Sequence, residues 1–156
     1  MSEFTHLDET GAARMVDVSA KDVSARTATA TGRVLLTGEV VELLRSGEVP
    51  KGDALGVARI AGIMGAKRTP DLVPLCHPIA LHGVKVTLDV EDWGVAITCR
   101  VKTADRTGVE MEALTAVTVA ALALIDMVKA VDPAAVISDV RVEEKTGGKT
   151  GLWTRP

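Results

Sequence analysis

The sequence is poor in aromatic residues and in cysteine. Its 156 residues include one Phe, two Trp and no Tyr, so aromatic side chains make up only 2% of the chain. Sheets that recognise RNA stack bases on aromatic side chains, so we do not expect a nucleic-acid partner. Neither Cys76 nor Cys99 belongs to a CxxC pair. We therefore expect two reduced thiols rather than a zinc or redox pair.

A strong charge imbalance and long apolar runs are also missing. The formal net charge is -3 and the pI is about 5.6, which argues against a protein that coats nucleic acid or an anionic membrane. The longest uncharged apolar segment, 113–125, has 13 residues and is too short to span a bilayer. The N-terminus has no basic start followed by an apolar run, so no signal peptide is expected. These features predict a cytoplasmic protein without a membrane span.

Aliphatic residues are abundant and must build the core. Hydrophobic residues make up 47% of the chain, which suits a single domain over residues 1–156. We expect residues 1–12 and 150–156 to be flexible. Alternating and helical periodicities predict, in order, a strand over 26–37, a short helix after residue 38, a helix over 54–67, strands over 84–91 and 95–102, a helix over 111–131 and a strand over 136–143. This order matches an α+β fold of the ferredoxin-like split βαβ type, with one antiparallel sheet and helices on one face.

The predicted helix over 111–131 is apolar around nearly its whole circumference. Between positions 113 and 125 its only polar side chains are Thr115 and Thr118. Such a helix is buried on more than one side. Because a single sheet covers only one face, we expect the other face to pack against a second subunit, which gives a homo-oligomer.

Charged residues interrupt this helix at both ends. Asp126 and Lys129 lie three residues apart on one face, either as an ordinary ion pair or as a partly desolvated pair suited to proton transfer. Glu112 either stabilises the helix N-terminus or acts in a site. Glu112 and Asp126 are about 21 Å apart along a helix. A compact site would therefore need two subunits, or the ligand must be long.

Three loops carry further candidates. In the string LVPLCHPIA, His77 is either a satisfied buried histidine or a functional one. Lys51 is either a solvated lysine or an anion contact near a helix start. The string KTGGKTG is not a P-loop, because Glu143 stands where glycine is required. It is either a flexible loop or an anion-binding loop that includes Lys145 and Lys149.

Several strings resemble the MoaC family, the cyclic pyranopterin monophosphate synthases of molybdenum cofactor biosynthesis. The strings are MVDVSAK from Met15, KGD from Lys51, ARIAGIMGAKRTPDLVPLCHP from Ala58, TGVEMEALTAV from Thr107, DMVKAV from Asp126 and KTGGKTG from Lys145. The resemblance covers most of the chain. It implies a ferredoxin-like lyase that assembles as a homohexamer, a trimer of dimers, with sites between subunits.

The resemblance also implies a reaction. The substrate would be 3′,8-cyclo-7,8-dihydroguanosine 5′-triphosphate, which is rearranged to the pterin product, cyclic pyranopterin monophosphate, with release of pyrophosphate. This chemistry requires proton donors and acceptors, and positive charge beside the departing pyrophosphate. No metal site or cofactor is implied, although Mg²⁺ can accompany the triphosphate. The alternative is a non-catalytic, nucleotide-binding regulatory oligomer.

The resemblance assigns roles to matching positions. The acid/base groups are Asp126, Lys129, Lys51 and Glu112. The substrate-binding residues are Asp17, Arg26, Leu75, Cys76, His77, Arg106, Met111, Glu112, Lys145 and Lys149.

Overall fold

A computed structural model describes residues 5–156 and has nine helices and strands within that range. They are β1 (Ser24–Leu35), α1 (Gly38–Ser46), α2 (Ala54–Lys67), α3 (Thr69–Leu72), β2 (Gly83–Glu91), β3 (Gly94–Asp105), α4 (Glu110–Val128), β4 (Val136–Thr146) and β5 (Trp153–Thr154). All strands join one antiparallel sheet in the order β2-β3-β1-β4-β5. The first four strands have the order of a split βαβ plan, so the predicted α+β fold is confirmed.

Capping residues define the ends of α1 and the start of α2. The Thr37 side chain accepts from the backbone N–H of Val40, and Asp53 accepts from that of Gly56. Gly47 ends α1 at φ 74°, a left-handed conformation that glycine adopts without steric strain.

Two short elements were not predicted. After α2 ends at Lys67, the short helix α3 begins at Thr69, since a proline in the first helical turn loses no intrahelical hydrogen bond. In the C-terminal tail, β5 pairs with β4. At the other end of the described chain, Leu7 and Ala13 form an isolated bridge. The flexibility of residues 1–12 and 150–156 stays a prediction.

The helices α2 and α4 pack closely against each other above the sheet. α4 lies across β1, β3 and β4, while α2 covers β2. Two glycines of α2 face α4: a Cβ at Gly62 would lie 2.9 Å from the Ala116 carbonyl oxygen, and one at Gly65 would lie 2.9 Å from Val119 Cβ. The small residues therefore set the distance between the helices.

Apolar side chains remain exposed on these two helices in the single chain. Ile60 and Met64 of α2 are 61% and 56% exposed, and Leu122 of α4 is 61% exposed. By length and composition α4 could cross a membrane. Its contacts with α2 and three strands are nevertheless those of a core helix in a globular chain.

Candidate active site

The predicted site residues gather at opposite ends of α4. One group, which we call the carboxylate–lysine cluster, consists of Lys51, Asp126 and Lys129 at the C-terminal end. The other group surrounds two adjoining pockets at the N-terminal end.

In the carboxylate–lysine cluster, one carboxylate holds two ammonium groups. Lys129 Nζ donates to Asp126 Oδ1 at 2.7 Å, and Lys51 Nζ lies 3.3 Å from Oδ2. Lys51 Nζ also donates to the Asp126 backbone carbonyl at 3.1 Å. The hydrogen bond from Lys129, and then that from Lys51, lowers the pKa of Asp126. Asp126 is therefore an ionised carboxylate near neutral pH.

The cluster is open to solvent within one chain. The side chains of Asp126 and Lys129 are 57% and 58% exposed. A single chain therefore does not desolvate this pair, as one of the two interpretations of the sequence requires. Beside them lies a shallow cavity of about 430 Å³, whose apolar lining includes Val119, Leu122 and Ile125. Only a further molecule over this apolar surface would remove water from the cluster.

At the other end of α4, an apolar pocket of about 540 Å³ contains the residues of the proline-rich loop. Its lining includes the predicted residues Leu75, Cys76, His77, Met111 and Glu112. His77 is half-buried, and its Nε2–H donates to the Val16 carbonyl oxygen, which fixes the orientation of the ring.

A buried carboxyl group lies at the base of the apolar pocket. Glu112 is only 2% exposed, and burial raises its pKa. The thiol of Cys76 donates to Glu112 Oε2 at 3.6 Å. Burial, followed by the nearby Glu112 charge, raises the pKa of Cys76 to about 11. Cys76 is thus a protonated donor and not a nucleophile.

A basic pocket of about 670 Å³ adjoins the apolar one. Its cationic lining residues are Lys21, Arg26, Lys145 and Lys149. Arg26 Nε donates to the Asp105 carbonyl at 3.2 Å, and Lys145 Nζ lies 3.3 Å from Glu110 Oε1. The turn at Gly147 and Gly148 forms one wall, with φ values of 91° and 74°. A side chain at Gly148 would collide with the Arg26 guanidinium, so the turn lies directly against that cation.

The two pockets share a wall. Lys21, Gly108 and Glu110 line both, so one ligand can occupy the basic and the apolar part together. Asp17 and Arg106 lie beside this wall. Hydrogen bonds from the Ser19 side chain and from the Ser19 backbone N–H lower the pKa of the Asp17 carboxylate, and the nearby His77 lowers it further. Arg106 Nε donates to the Lys21 carbonyl at 3.1 Å.

Sequence reasoning did not single out Lys21 and Glu110 as site residues. Lys21 closes the string MVDVSAK, which could have identified it. Glu110 stands in the first turn of α4, where acidic residues are common, and its ion pair with Lys145 depends on the path of β4. Lys51 and Asp126 pair within one chain. If a site is shared between two subunits, one subunit therefore supplies the whole carboxylate–lysine cluster and the other supplies the pockets. In residues 5–156, no group of three or more His, Cys, Asp or Glu side chains could hold a metal ion.

Fold and site together define a class: a ferredoxin-like α+β protein with a basic, glycine-walled pocket and a separate cluster of acid/base groups. Comparison with known proteins narrows this class. The MoaC family model matches residues 15–148, and the chain belongs to the MoaC family.

Curated relatives match nearly the whole chain. A Streptomyces coelicolor protein named cyclic pyranopterin monophosphate synthase is 73% identical over 97% of this chain and 89% of its own. A Nocardioides protein of the same name is 70% identical over 98% of this chain and 96% of its own. A Mycobacterium tuberculosis protein named cyclic pyranopterin monophosphate synthase 2 is 58% identical over 98% of this chain and 92% of its own.

Proposed function

We propose that this chain is a cyclic pyranopterin monophosphate synthase, a lyase of molybdenum cofactor biosynthesis. It converts 3′,8-cyclo-7,8-dihydroguanosine 5′-triphosphate to cyclic pyranopterin monophosphate and releases pyrophosphate. The observation that carries this conclusion is the 73% identity to a relative of that name over 97% of the chain. The enzyme acts in the cytoplasm and uses no resident cofactor, and any Mg²⁺ enters with the triphosphate.

The adjoining pockets suggest how the substrate lies. The triphosphate occupies the basic pocket, where Arg26, Lys145 and Lys149 provide cations. A phosphate oxygen there would replace Glu110 as the partner of Lys145. The purine-derived rings occupy the apolar pocket, beside His77 and Glu112. This places the one buried carboxyl group of the pocket against the rings that are opened and rebuilt.

Each charged group then has a chemical role. Asp126 is ionised and either accepts a proton or holds Lys129 and Lys51 in place as proton donors. Glu112, whose pKa is raised by burial, can carry a proton and pass it to the rings. In the phosphate step a sugar hydroxyl attacks the α-phosphorus and the bond to the β-phosphate breaks. Lys145 and Arg26 stabilise the negative charge of the departing pyrophosphate.

The site is completed by a second copy of the chain. The two ends of α4 are about 21 Å apart between positions 112 and 126, too far for one compact site. Two copies that bring α2 and α4 together in opposite directions would place the cluster of one copy beside the pockets of the other. The same contact would bury the exposed Ile60, Met64 and Leu122. The full assembly is a hexamer built as a trimer of such dimers.

Mixed oligomers test this arrangement. Asp126→Asn removes the cluster and Lys145→Ala impairs the basic pocket, so each protein alone should release little pyrophosphate. Random pairing makes about half of the dimers mixed. If cluster and pocket come from different copies, one of the two sites in each mixed dimer is intact, which predicts about one quarter of wild-type activity. The matched control mixes Asp126→Asn with Lys51→Ala. Both changes affect the cluster of one chain, so no rescue is expected.

The outcomes separate the alternatives. No rescue in the first mixture, with mixed dimers verified by mass spectrometry, would contradict the shared site. Wild-type protein that binds the cyclic triphosphate without releasing pyrophosphate would support the alternative, a non-catalytic nucleotide-binding regulatory oligomer.

A further inference from the structure

The C-terminal tail is anchored on β4 by more than its two paired residues. Trp153 lies opposite Lys145 in the β5–β4 pairing. The backbone N–H of Arg155 donates to the Glu143 carbonyl at 2.8 Å, and Arg155 Nε donates to the Val142 carbonyl at 2.8 Å. Arg155 Nε also lies 3.9 Å from Glu143 Oε2. One arginine therefore joins the tail to two consecutive residues of β4.

The turn between β4 and β5 is a wall of the basic pocket. Its residues 147–150 all line that pocket, with Lys149 as the cation of the turn. Gly147, Gly148 and Gly151 have positive φ values. Glycines with this freedom do not define a conformation by themselves. The shape of the turn is therefore set by whatever fixes its two ends, which are β4 and β5.

We propose that Arg155 is a positioning residue for the basic pocket. By anchoring β5, it holds the glycine turn and Lys149 in the conformation that receives the phosphates. A turn fixed at only one end would have to be ordered when the ligand binds, and that ordering entropy weakens binding. The identity of the ligand rests on the proposed function. The effect of Arg155 on the binding of a phosphate chain does not rest on it.

Kinetics distinguish positioning from a general structural role. Losing a net hydrogen bond and the order that it imposes should raise the KM of Arg155→Ala about fivefold, with kcat changed less than about twofold. Arg155→Lys should restore most of the affinity, because an ammonium can still donate to the Val142 carbonyl. A chain truncated after Gly151 should resemble Arg155→Ala.

The matched control is Arg141→Ala. Arg141 Nε lies 2.7 Å from the same Glu143 carboxylate, but Arg141 lines a different cavity, beside Trp93. Its removal should leave KM within about twofold, since the turn keeps both anchors. An equal rise of KM in Arg141→Ala and Arg155→Ala would overturn the proposal, because the effect would then come from Glu143 alone.

A second measurement does not depend on catalysis. Inorganic triphosphate is titrated into the Trp93→Phe protein, and binding is followed by the fluorescence of Trp153 in β5, the remaining tryptophan. Arg155→Ala should weaken binding about fivefold and increase hydrogen exchange of the amides of 147–151. Unchanged affinity and unchanged exchange would refute the role of Arg155. If the wild-type protein releases no pyrophosphate, the proposed function fails, and this titration still decides the role of Arg155.

Discussion

The close approach of α2 and α4 predicts that Gly62→Ala destabilises the protein, although alanine is the better helix former. A Cβ at position 62 would lie 2.9 Å from the Ala116 carbonyl oxygen, 3.1 Å from Ala120 Cβ and 3.2 Å from Val86 Cγ2. The nearest of these atoms belongs to the backbone of α4, so rotating a side chain cannot remove the clash. Either α4 must shift or α2 must move away from it.

Two opposing effects set the magnitude of the change. Overpacking a core position costs about 1–3 kcal/mol. Replacing a helix-interior glycine by alanine stabilises by roughly 0.5–1 kcal/mol. Because the clash outweighs the gain in helix propensity, we expect a net loss of about 1–2 kcal/mol in the free energy of unfolding. For a chain of this length, that loss corresponds to a fall in Tm of roughly 3–6 °C.

The assay is thermal and urea unfolding of Gly62→Ala beside Gly38→Ala. Gly38 begins α1, and a Cβ there would have no atom within 4 Å, so this control should stay within about 0.5 kcal/mol of wild type. A Gly62→Ala protein as stable as Gly38→Ala, or more stable than wild type, would refute the view that these glycines set the helix distance.

Three further predictions concern titrating groups. Burial raises the pKa of Cys76 to about 11 and that of Cys99 to about 12, so iodoacetamide at pH 8 should label both thiols far more slowly than in urea-unfolded protein; equal rates would contradict this. Burial raises the pKa of Glu112 above 4.5. As the pH rises, Glu112 therefore loses its proton in the unfolded state before it does so in the folded state, and the free energy of unfolding falls. Glu112→Gln should therefore become more stable relative to wild type as the pH rises above 4.5, while losing activity. Parallel curves of stability against pH would argue against burial as the cause. In an NMR titration the lowered pKa of Asp126 should rise more in Lys129→Ala than in Lys51→Ala, and the opposite order would contradict the assigned hydrogen bonds.

The sequence was most informative where local chemistry decides the outcome. Helical periodicity predicted a helix over 54–67, and α2 has these bounds, Ala54–Lys67, with Asp53 as its cap. Alternation predicted the strand over 95–102, and its alternate residues Val95, Ile97 and Cys99 are fully buried. The α4 boundary differs by three residues at its C-terminal end, since the apolar pattern continues to position 131 while the helix ends at Val128.

For the site, the strings resembling the family predicted candidate residues but not their arrangement. Apolar side chains around the whole of α4 predicted a covered outer face, yet Asp126 and Lys129 are open to solvent in one chain. One chain does not desolvate them, so their desolvation depends on the proposed second copy. The pairing of β5 and the contacts of Arg155 were not predicted, because the tail carries no periodicity and its pairing depends on the position of β4.

The sequence alone determined the kinds of the longer elements, the ends of α2 and the separation of Glu112 from Asp126, because periodicity, caps and the rise per residue act over a few positions of the chain. Only the tertiary structure decided that Lys51 contacts Asp126 across 75 residues, and that Glu110 pairs with Lys145. Such contacts depend on how the strands and helices pack in three dimensions, which no local pattern of residues specifies.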